Sequence, residues 1–205
     1  MLIAPSNGFV FLATTKTGST AIEGAFRPYA QLVTRSSPTF KHTKYAKFQR
    51  FLRPYLASQG FPRDSYEVVC AFREPVDWLA SWWRYRSREE LADPALPKHS
   101  NYAGHVSFEQ FVRAYMDGEE QFAQVGRQAE FVRARRGQPQ VDRIFRYDRL
   151  DLLVDFLCEK VGEEVEVGIE NVSPKRSFSL SEGCEHELHT FFAPEYRIYE
   201  QAVAE

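Results

Sequence analysis

The sequence predicts an α/β fold in which a central, mostly parallel sheet is flanked by helices in three layers. Apolar stretches at residues 9–14 and 66–72, and a third at 141–147, have the length and composition of buried strands. Helical patterns alternate with them, which places helices on both faces of a parallel sheet. The 205 residues are 43% hydrophobic and 26% charged, as expected of a single domain over residues 1–205 with a substantial core.

The helices follow from periodicity and from the residues at their ends. Pro75 occupies a favoured first-turn position, and Ser107 with Gln110 forms a capping-box pattern. Pro54 is expected to kink or end one helix, and Pro194 to interrupt the helical C-terminus. The predicted helices cover residues 19–29, 44–58, 75–88, 108–116, 119–136 and 150–162. A short strand at 30–35 and a long loop at 89–106 complete the prediction.

Composition narrows the classes of function. A net charge of −2 disfavours general binding to nucleic acid, although Lys and Arg cluster at residues 41–53 and 84–88. Such clusters are either solvated helix faces or a local anion pocket. The apolar runs are too short to span a bilayer, and the N-terminus lacks the pattern of a signal peptide. The scattered Cys70, Cys158 and Cys184 indicate reduced thiols in a cytoplasmic protein.

The turn after the first predicted strand, "TTKTGST", has the features of an anion cradle. Gly18 lets the backbone approach an anion closely, and backbone N–H groups at a helix start favour negative charge. Lys16 adds a positive charge, and Thr17, Ser19 and Thr20 add hydroxyl donors. The alternative is an ordinary strand-to-helix turn with a Ser or Thr cap.

This turn is P-loop-like without matching the nucleoside-triphosphate pattern G-x-x-x-x-G-K-[ST]. Ala13 stands five positions before Gly18, Ser19 follows it, and Lys16 comes two residues before the glycine. The later strands do not end in an acidic residue that could hold magnesium. The sequence therefore argues against a metal-dependent kinase and predicts no metal site.

The turn after the strand predicted at 66–72 carries a further basic residue, Arg73, followed by Glu74 at the expected helix cap. Ser81 lies seven residues after Glu74, on the same helix face and about 10 Å along the axis. A guanidinium suits bidentate contact with phosphate, so Arg73 and Ser81 could clamp a monophosphate. The alternative is a surface Arg–Glu pair and an ordinary helix serine.

Together, "TKTGST" and "REPVDWLAS" resemble the motifs of sulfotransferases that use 3′-phosphoadenosine 5′-phosphosulfate (PAPS), in particular the bacterial and carbohydrate-type branch. "FRYDRL", "NVSPKRS" and "APEYRIYE" resemble later segments of that family, in the same order. Thr15 stands where proline is usual, and Asp148 replaces the usual glutamate.

The resemblance implies a role for each matching residue. The segment at residues 16–20 (Lys16, Thr17, Gly18, Ser19 and Thr20) would hold the 5′-phosphosulfate. Arg73 and Ser81 would hold the 3′-phosphate, and Tyr147 would contact the adenine. Lys175 and Arg176 would close over the 3′-phosphate, with a solvated loop as the alternative. PAPS would be the donor and adenosine 3′,5′-bisphosphate the product, without a metal.

Sulfuryl transfer builds negative charge on the bridging oxygen of the donor, where Lys16 would stabilise it. The acceptor, a hydroxyl of a carbohydrate or another small metabolite, needs a general base. His42 is the first candidate because nearby Lys41 and Lys44 would keep it neutral; His105 and Glu23 are the second and third. The competing hypotheses are a nucleotide-dependent kinase of similar topology and a non-catalytic module that binds 3′,5′-bisphosphates.

Overall fold

A computed structural model of the chain describes residues 1–34, 37–133, 141–168 and 176–204. The chain forms two compact units. The first comprises Met1–Arg73, Arg127–Asn171 and Ile198–Glu205, and the second comprises Glu74–Gly126 and Val172–Arg197. A single domain over residues 1–205 remains a prediction.

The first unit contains a five-stranded sheet. Its strands are β1 (Leu2–Ala4), β2 (Phe9–Phe11), β3 (Leu32–Val33), β4 (Glu67–Phe72) and β5 (Arg143–Arg146), in the order β3-β1-β2-β4-β5. β1 is antiparallel to both of its neighbours, whereas β2, β4 and β5 are parallel to one another. Four of the five strands therefore run in one direction, and the predicted mostly parallel sheet is confirmed.

The α-helices of the described residues are α1 (Ser19–Phe26), α2 (Pro38–Lys41), α3 (Tyr45–Lys47), α4 (Arg53–Ser58), α5 (Pro75–Arg86), α6 (Phe108–Asp117), α7 (Gln128–Val132), α8 (Leu150–Val161), α9 (Glu182–Phe191) and α10 (Ala193–Glu200). None of them is long and apolar enough to cross a membrane.

Alternating side chains of β2 and β4 supply two hydrophobic cores, one on each face of the sheet. Val10 and Val68 pack on one face with Phe48, which lies between α3 and α4. Phe9 and Val69 pack on the other face with side chains of α1 and α8. Both strands are buried on both faces, so their sequences are continuously apolar rather than alternating. The predicted helix–sheet–helix arrangement is present in this unit.

The second unit is helical. Its core contains Trp78 and Trp83 of α5, Phe111 of α6 and Leu188 of α9. The capping box of Ser107 and Gln110 opens α6 as predicted, with hydrogen bonds in both directions. The aromatic side chains of α5 therefore contribute mainly to this core.

Two predicted helices differ from the structure. The helix at 119–136 is wrong: residues 121–123 form a single 3₁₀ turn and α7 covers only Gln128–Val132, since Gly126 between them has a φ of 74° that no α-helix accommodates. The second is the helix predicted at 44–58. It continues through Pro54 and has a π-helical stretch at Phe48–Leu52 before it. Pro54 has no N–H to donate to the carbonyl of Arg50, four positions earlier in the helix. This missing hydrogen bond accounts for the wider π-helical turn.

Candidate anion-binding and catalytic site

The carboxyl ends of the three parallel strands bring three predicted site residues together. Lys16 follows β2, Arg73 follows β4 and Tyr147 follows β5. The Arg73 guanidinium donates a hydrogen bond from Nη1 to the Lys16 carbonyl, at 3.1 Å. It also lies over the Tyr147 ring, 4.4 Å from the ring centroid. One sheet edge of the first unit therefore gathers two cationic side chains and an aromatic ring, as ligand sites of parallel sheets do.

The turn that carries Lys16 has an unusual backbone. Lys16 has a φ of 62° and Gly18 a φ of 67°, with Thr17 between them outside the positive-φ region. Positive φ values alternate in this way in the concave backbone turns that bind anions, where successive N–H groups point to one side. Gly18 is also the N-cap of α1, whose first N–H groups have no acceptor within the helix. A lysine held at positive φ is strained, and such strain is found at functional sites.

Gly18 is tightly enclosed, which gives a test of this backbone geometry. A Cβ at this position would lie 3.3 Å from Leu150 Cδ1 and 3.6 Å from Tyr147 Cε2. We expect Gly18→Ala to lower the free energy of unfolding by about 1–2 kcal/mol, because an L-residue is strained at this φ. We also expect weaker binding of adenosine 3′,5′-bisphosphate, since relief of the strain at residue 18 would shift the backbone N–H groups of the turn. Urea unfolding and calorimetric titration measure the two effects.

Gly60→Ala is the matched control. Gly60 also has a positive φ, of 89°, but nothing lies within 4 Å of a Cβ built on it. Its substitution should cost stability without changing the affinity for the nucleotide. Wild-type affinity in Gly18→Ala would contradict a role for this turn in anion binding.

The hydroxyl of Thr17 serves the fold rather than a ligand. Thr17 is fully buried, and its hydroxyl lies 3.1 Å from the Thr14 carbonyl and 3.2 Å from the Thr14 hydroxyl. Thr14 in turn donates to the carbonyl of Ala71 in β4. The expected donation from the Thr17 side chain to an anion is therefore corrected: its hydroxyl hydrogen is used inside the protein, and Thr17 offers its backbone N–H.

A second lysine lies beside the same turn. Lys41 Nζ donates to the Thr20 hydroxyl at 2.7 Å and lies 3.1 Å from Glu23 Oε2. Glu23 is only 4% exposed and is also bound by the amino group of Met1. Lys41 thus adds a cation at the start of α1, where Ser19 is 5% exposed and Thr20 is partly buried. Glu23, the third candidate base, is occupied by these two ion pairs.

The ring of His42 is anchored to the backbone of the segment that leads into the turn. Its Nδ1 lies 2.7 Å from the carbonyl oxygen of Ala13, at the end of the segment that leads into the turn. A carbonyl only accepts hydrogen bonds, so Nδ1 carries the proton and the lone pair of the neutral ring is on Nε2. Burial lowers the pKa of His42 below 6.5, and the charge of Lys41 acts in the same direction. The ring is therefore neutral at neutral pH.

Gln128 fixes the backbone of Arg73 and was not among the predicted residues. Its amide nitrogen donates to the Arg73 carbonyl at 2.9 Å, and its amide oxygen accepts from the Arg73 N–H at 3.1 Å. Gln128 is 2% exposed, so both bonds are shielded from water. A lone glutamine in a polar segment carries no sequence signal for such a role.

The remaining predicted nucleotide contacts lie in the second unit or outside the described residues. Ser81 is 3% exposed within α5, and Glu74 caps that helix as predicted by accepting from the N–H of Asp77. The Arg176 guanidinium lies 4.2 Å from the centroid of the Trp83 ring. Lys175 lies outside the described residues.

His105, the second candidate base, is an exposed residue of the second unit. Its ring contacts Tyr102 and Phe122, with centroid separations of 5.8 and 5.7 Å. The His105 ring therefore packs beside two aromatic side chains. Among the residues that the structure describes, there is no group of three or more His, Cys, Asp or Glu side chains that could hold a metal ion.

Comparisons with known proteins give one structural similarity. No protein-family model matches the chain, and no curated protein matches its sequence. The structure is similar to a crystal structure of a sulfotransferase from Alicyclobacillus acidocaldarius, with a TM-score of 0.47 and 14% sequence identity. The similarity covers 95% of this chain and 94% of that chain.

Proposed function

We propose that this protein transfers a sulfuryl group from PAPS to the hydroxyl of a small-molecule or carbohydrate acceptor. The observation that carries the proposal is the meeting of Lys16 and Arg73 at the sheet edge, joined by a 3.1 Å hydrogen bond. The positive φ values of Lys16 and Gly18 support an anion-binding role for the turn. Lys16 and Arg73 also belong to the two motifs that resemble those of the PAPS sulfotransferases.

The residues of this edge suit a donor with anionic groups. Lys16, Lys41 and the N–H groups at residues 17–20 offer charge and hydrogen bonds to the 5′-phosphosulfate. Arg73 offers a planar fork to the 3′-phosphate, and Tyr147 beside it offers a ring to the adenine. The sequence resemblance also assigns the 3′-phosphate to Ser81, Lys175 and Arg176, which remains a prediction.

The chain's own residues would divide the chemical work between charge stabilisation and proton transfer. The bound donor supplies an activated sulfuryl group, whose departure leaves negative charge on a phosphate oxygen. Lys16 neutralises that charge as it develops, which lowers the barrier more than it tightens ground-state binding. Nε2 of His42 accepts the proton of the acceptor hydroxyl, because the Ala13 carbonyl fixes the tautomer that exposes this lone pair.

The His42 role predicts a specific pH profile. We expect turnover to fall on the acidic side with a midpoint below 6.5, since burial lowers the pKa of His42 and only the neutral ring can accept a proton. His42→Gln should lower turnover about 10²–10⁴-fold, the usual worth of a general base, and remove this limb. Transfer of the radiolabelled sulfuryl group from PAPS to a panel of hydroxyl acceptors, followed across pH, measures the turnover and its pH profile.

Nucleotide affinity is the control for this variant. His42→Gln should bind adenosine 3′,5′-bisphosphate as the wild type does, and His105→Gln should keep the full pH profile. If His42→Gln were as active as the wild type, His42 would be excluded as the base.

One thermal-shift experiment separates the three classes of function. We expect adenosine 3′,5′-bisphosphate to raise the melting temperature in EDTA, with ATP and ADP giving smaller shifts. Preference for ATP that depends on magnesium would instead indicate the kinase. Nucleotide binding without sulfuryl transfer to any acceptor would indicate the non-catalytic module.

A further inference from the structure

The helical segment that follows His42 presents an exposed face rich in aromatic and basic side chains. Tyr45, Phe48 and Leu56 bury its inner side in the core. The outer side carries Phe51, 61% exposed, and Tyr55, 54% exposed. The two residues are four positions apart, so they are neighbours on the helix surface. Exposed aromatic residues that adjoin in this way mark interaction sites more often than single exposed apolar residues do.

Positive charge surrounds the two rings. We define the basic–aromatic face as Lys47, Arg50, Phe51, Arg53 and Tyr55, all exposed. Within the described ranges, none of its three cationic side chains forms an ion pair with a carboxylate. The Arg50 guanidinium lies over the Phe51 ring, 5.1 Å from the centroid, and Arg53 donates to the amide oxygen of Gln49. The cations therefore remain available to an anionic partner.

This charge is local, because the chain as a whole has a net charge of −2. Lys44, at the start of the segment, is already neutralised by Glu130, with 2.8 Å between the charged atoms. Among the residues that the structure describes, no other acidic side chain forms an ion pair with a cation of the face. Unpaired cations next to exposed rings match an environment in which an anionic layer covers an apolar one, as at the surface of an anionic bilayer.

We propose that the basic–aromatic face docks on an anionic lipid bilayer. Lipid headgroups would neutralise Lys47, Arg50 and Arg53, while Phe51 and Tyr55 would enter the boundary between headgroups and acyl chains. A soluble polyanion would satisfy the cations but leave the Phe51 ring in water. The aromatic rings therefore favour a bilayer over a polyanion. The helix begins three residues after His42, so docking would bring the chain segment of the candidate base to the lipid surface.

Flotation with lipid vesicles tests the proposal on the full chain. We expect binding to vesicles of phosphatidylcholine with about 30% phosphatidylserine, weaker binding to pure phosphatidylcholine, and loss of binding with added salt. Lys47→Gln/Arg50→Gln should lower the partition coefficient about 25-fold, at about fivefold for each charge. Phe51→Ser/Tyr55→Ser should lower it on both kinds of vesicle.

Matched controls remove the same groups elsewhere. Arg27→Gln/Lys98→Gln removes two exposed charges, and Leu96→Ser removes a side chain that is 44% exposed. Both should leave vesicle binding unchanged. Three outcomes would each overturn the proposal. The control variants could lose as much binding as the test variants, the wild type could fail to bind anionic vesicles, or it could bind dextran sulfate and not vesicles.

The docking proposal and the proposed enzymatic function fail separately. The vesicle variants should show the wild-type thermal shift with adenosine 3′,5′-bisphosphate, because their substitutions are on the helix surface and not in the turn at residues 16–20. A normal thermal shift without vesicle binding would reject docking only. Vesicle binding without a nucleotide shift would reject only the nucleotide site.

Discussion

Replacing Lys16 by methionine is expected to reduce sulfuryl transfer to background, a loss of about 10³-fold or more in kcat. Methionine keeps much of the side chain's length and apolar volume but removes the charge that would meet the departing oxygen. Because this charge develops only in the transition state, the affinity for adenosine 3′,5′-bisphosphate should fall much less than kcat. Single-turnover transfer of labelled sulfate, together with calorimetric titration of the nucleotide, separates the two quantities.

Two further variants make the Lys16 result interpretable. Lys98→Met removes an exposed lysine outside the turn and outside the basic–aromatic face, and should be fully active. Lys41→Met removes the other cation beside the turn. We expect an intermediate loss of kcat, because Lys41 acts through its hydrogen bond to Thr20 and through its charge at the start of α1. A Lys16→Met protein that is folded by circular dichroism and turns over normally would contradict the proposed chemistry.

Removing the Arg73 side chain is expected to weaken the binding of adenosine 3′,5′-bisphosphate about tenfold to hundredfold. Hydrogen bonds between a guanidinium and a phosphate are charge-assisted, and in Arg73→Ala nothing replaces them. Adenosine 5′-monophosphate, which lacks the 3′-phosphate, should bind the wild type and the variant with similar affinity. Calorimetric titration of both nucleotides against both proteins measures this difference.

Arg73→Lys is the informative companion variant. It keeps the charge but loses the planar fork and the stacking on Tyr147, so its affinity should lie between those of the wild type and Arg73→Ala. An equal loss for both nucleotides would contradict the assignment of Arg73 to the 3′-phosphate and would reassign it to the 5′ group, next to the carbonyl of Lys16.

The parts of the fold and site that could be predicted are those with a local signal. β2 and β4 are continuously apolar because they are covered on both faces, and their ends are marked by Lys16 and Arg73. Parallel strands end at one sheet edge, so the meeting of these two turns followed from the order of elements alone. Residue type predicts His42 as the first candidate base, and this stays a prediction; the structure adds only its tautomer.

The features that could not be predicted depend on contacts between distant segments. β1 has only three residues, too few for periodicity, and exists because β2 and β3 pair with it on either side. The segment at 119–136 is rich in helix-forming residues, yet Gly126 adopts a positive φ that breaks it. The ion pair of Lys41 with Glu23 joins residues on two separate helices, so no spacing pattern in the sequence predicts it.

The two hydrogen bonds from Gln128 have a consequence for how a ligand is received. They hold both the N–H and the C=O of Arg73, so the peptide at this strand end is already immobilised when a nucleotide arrives. The loss of chain entropy at this position is a cost of folding and not of binding. A ligand has only to order the guanidinium, which leaves more of the interaction energy as affinity. The buried amide therefore makes this end of the site pre-organised, although it touches no part of the nucleotide itself in the arrangement proposed.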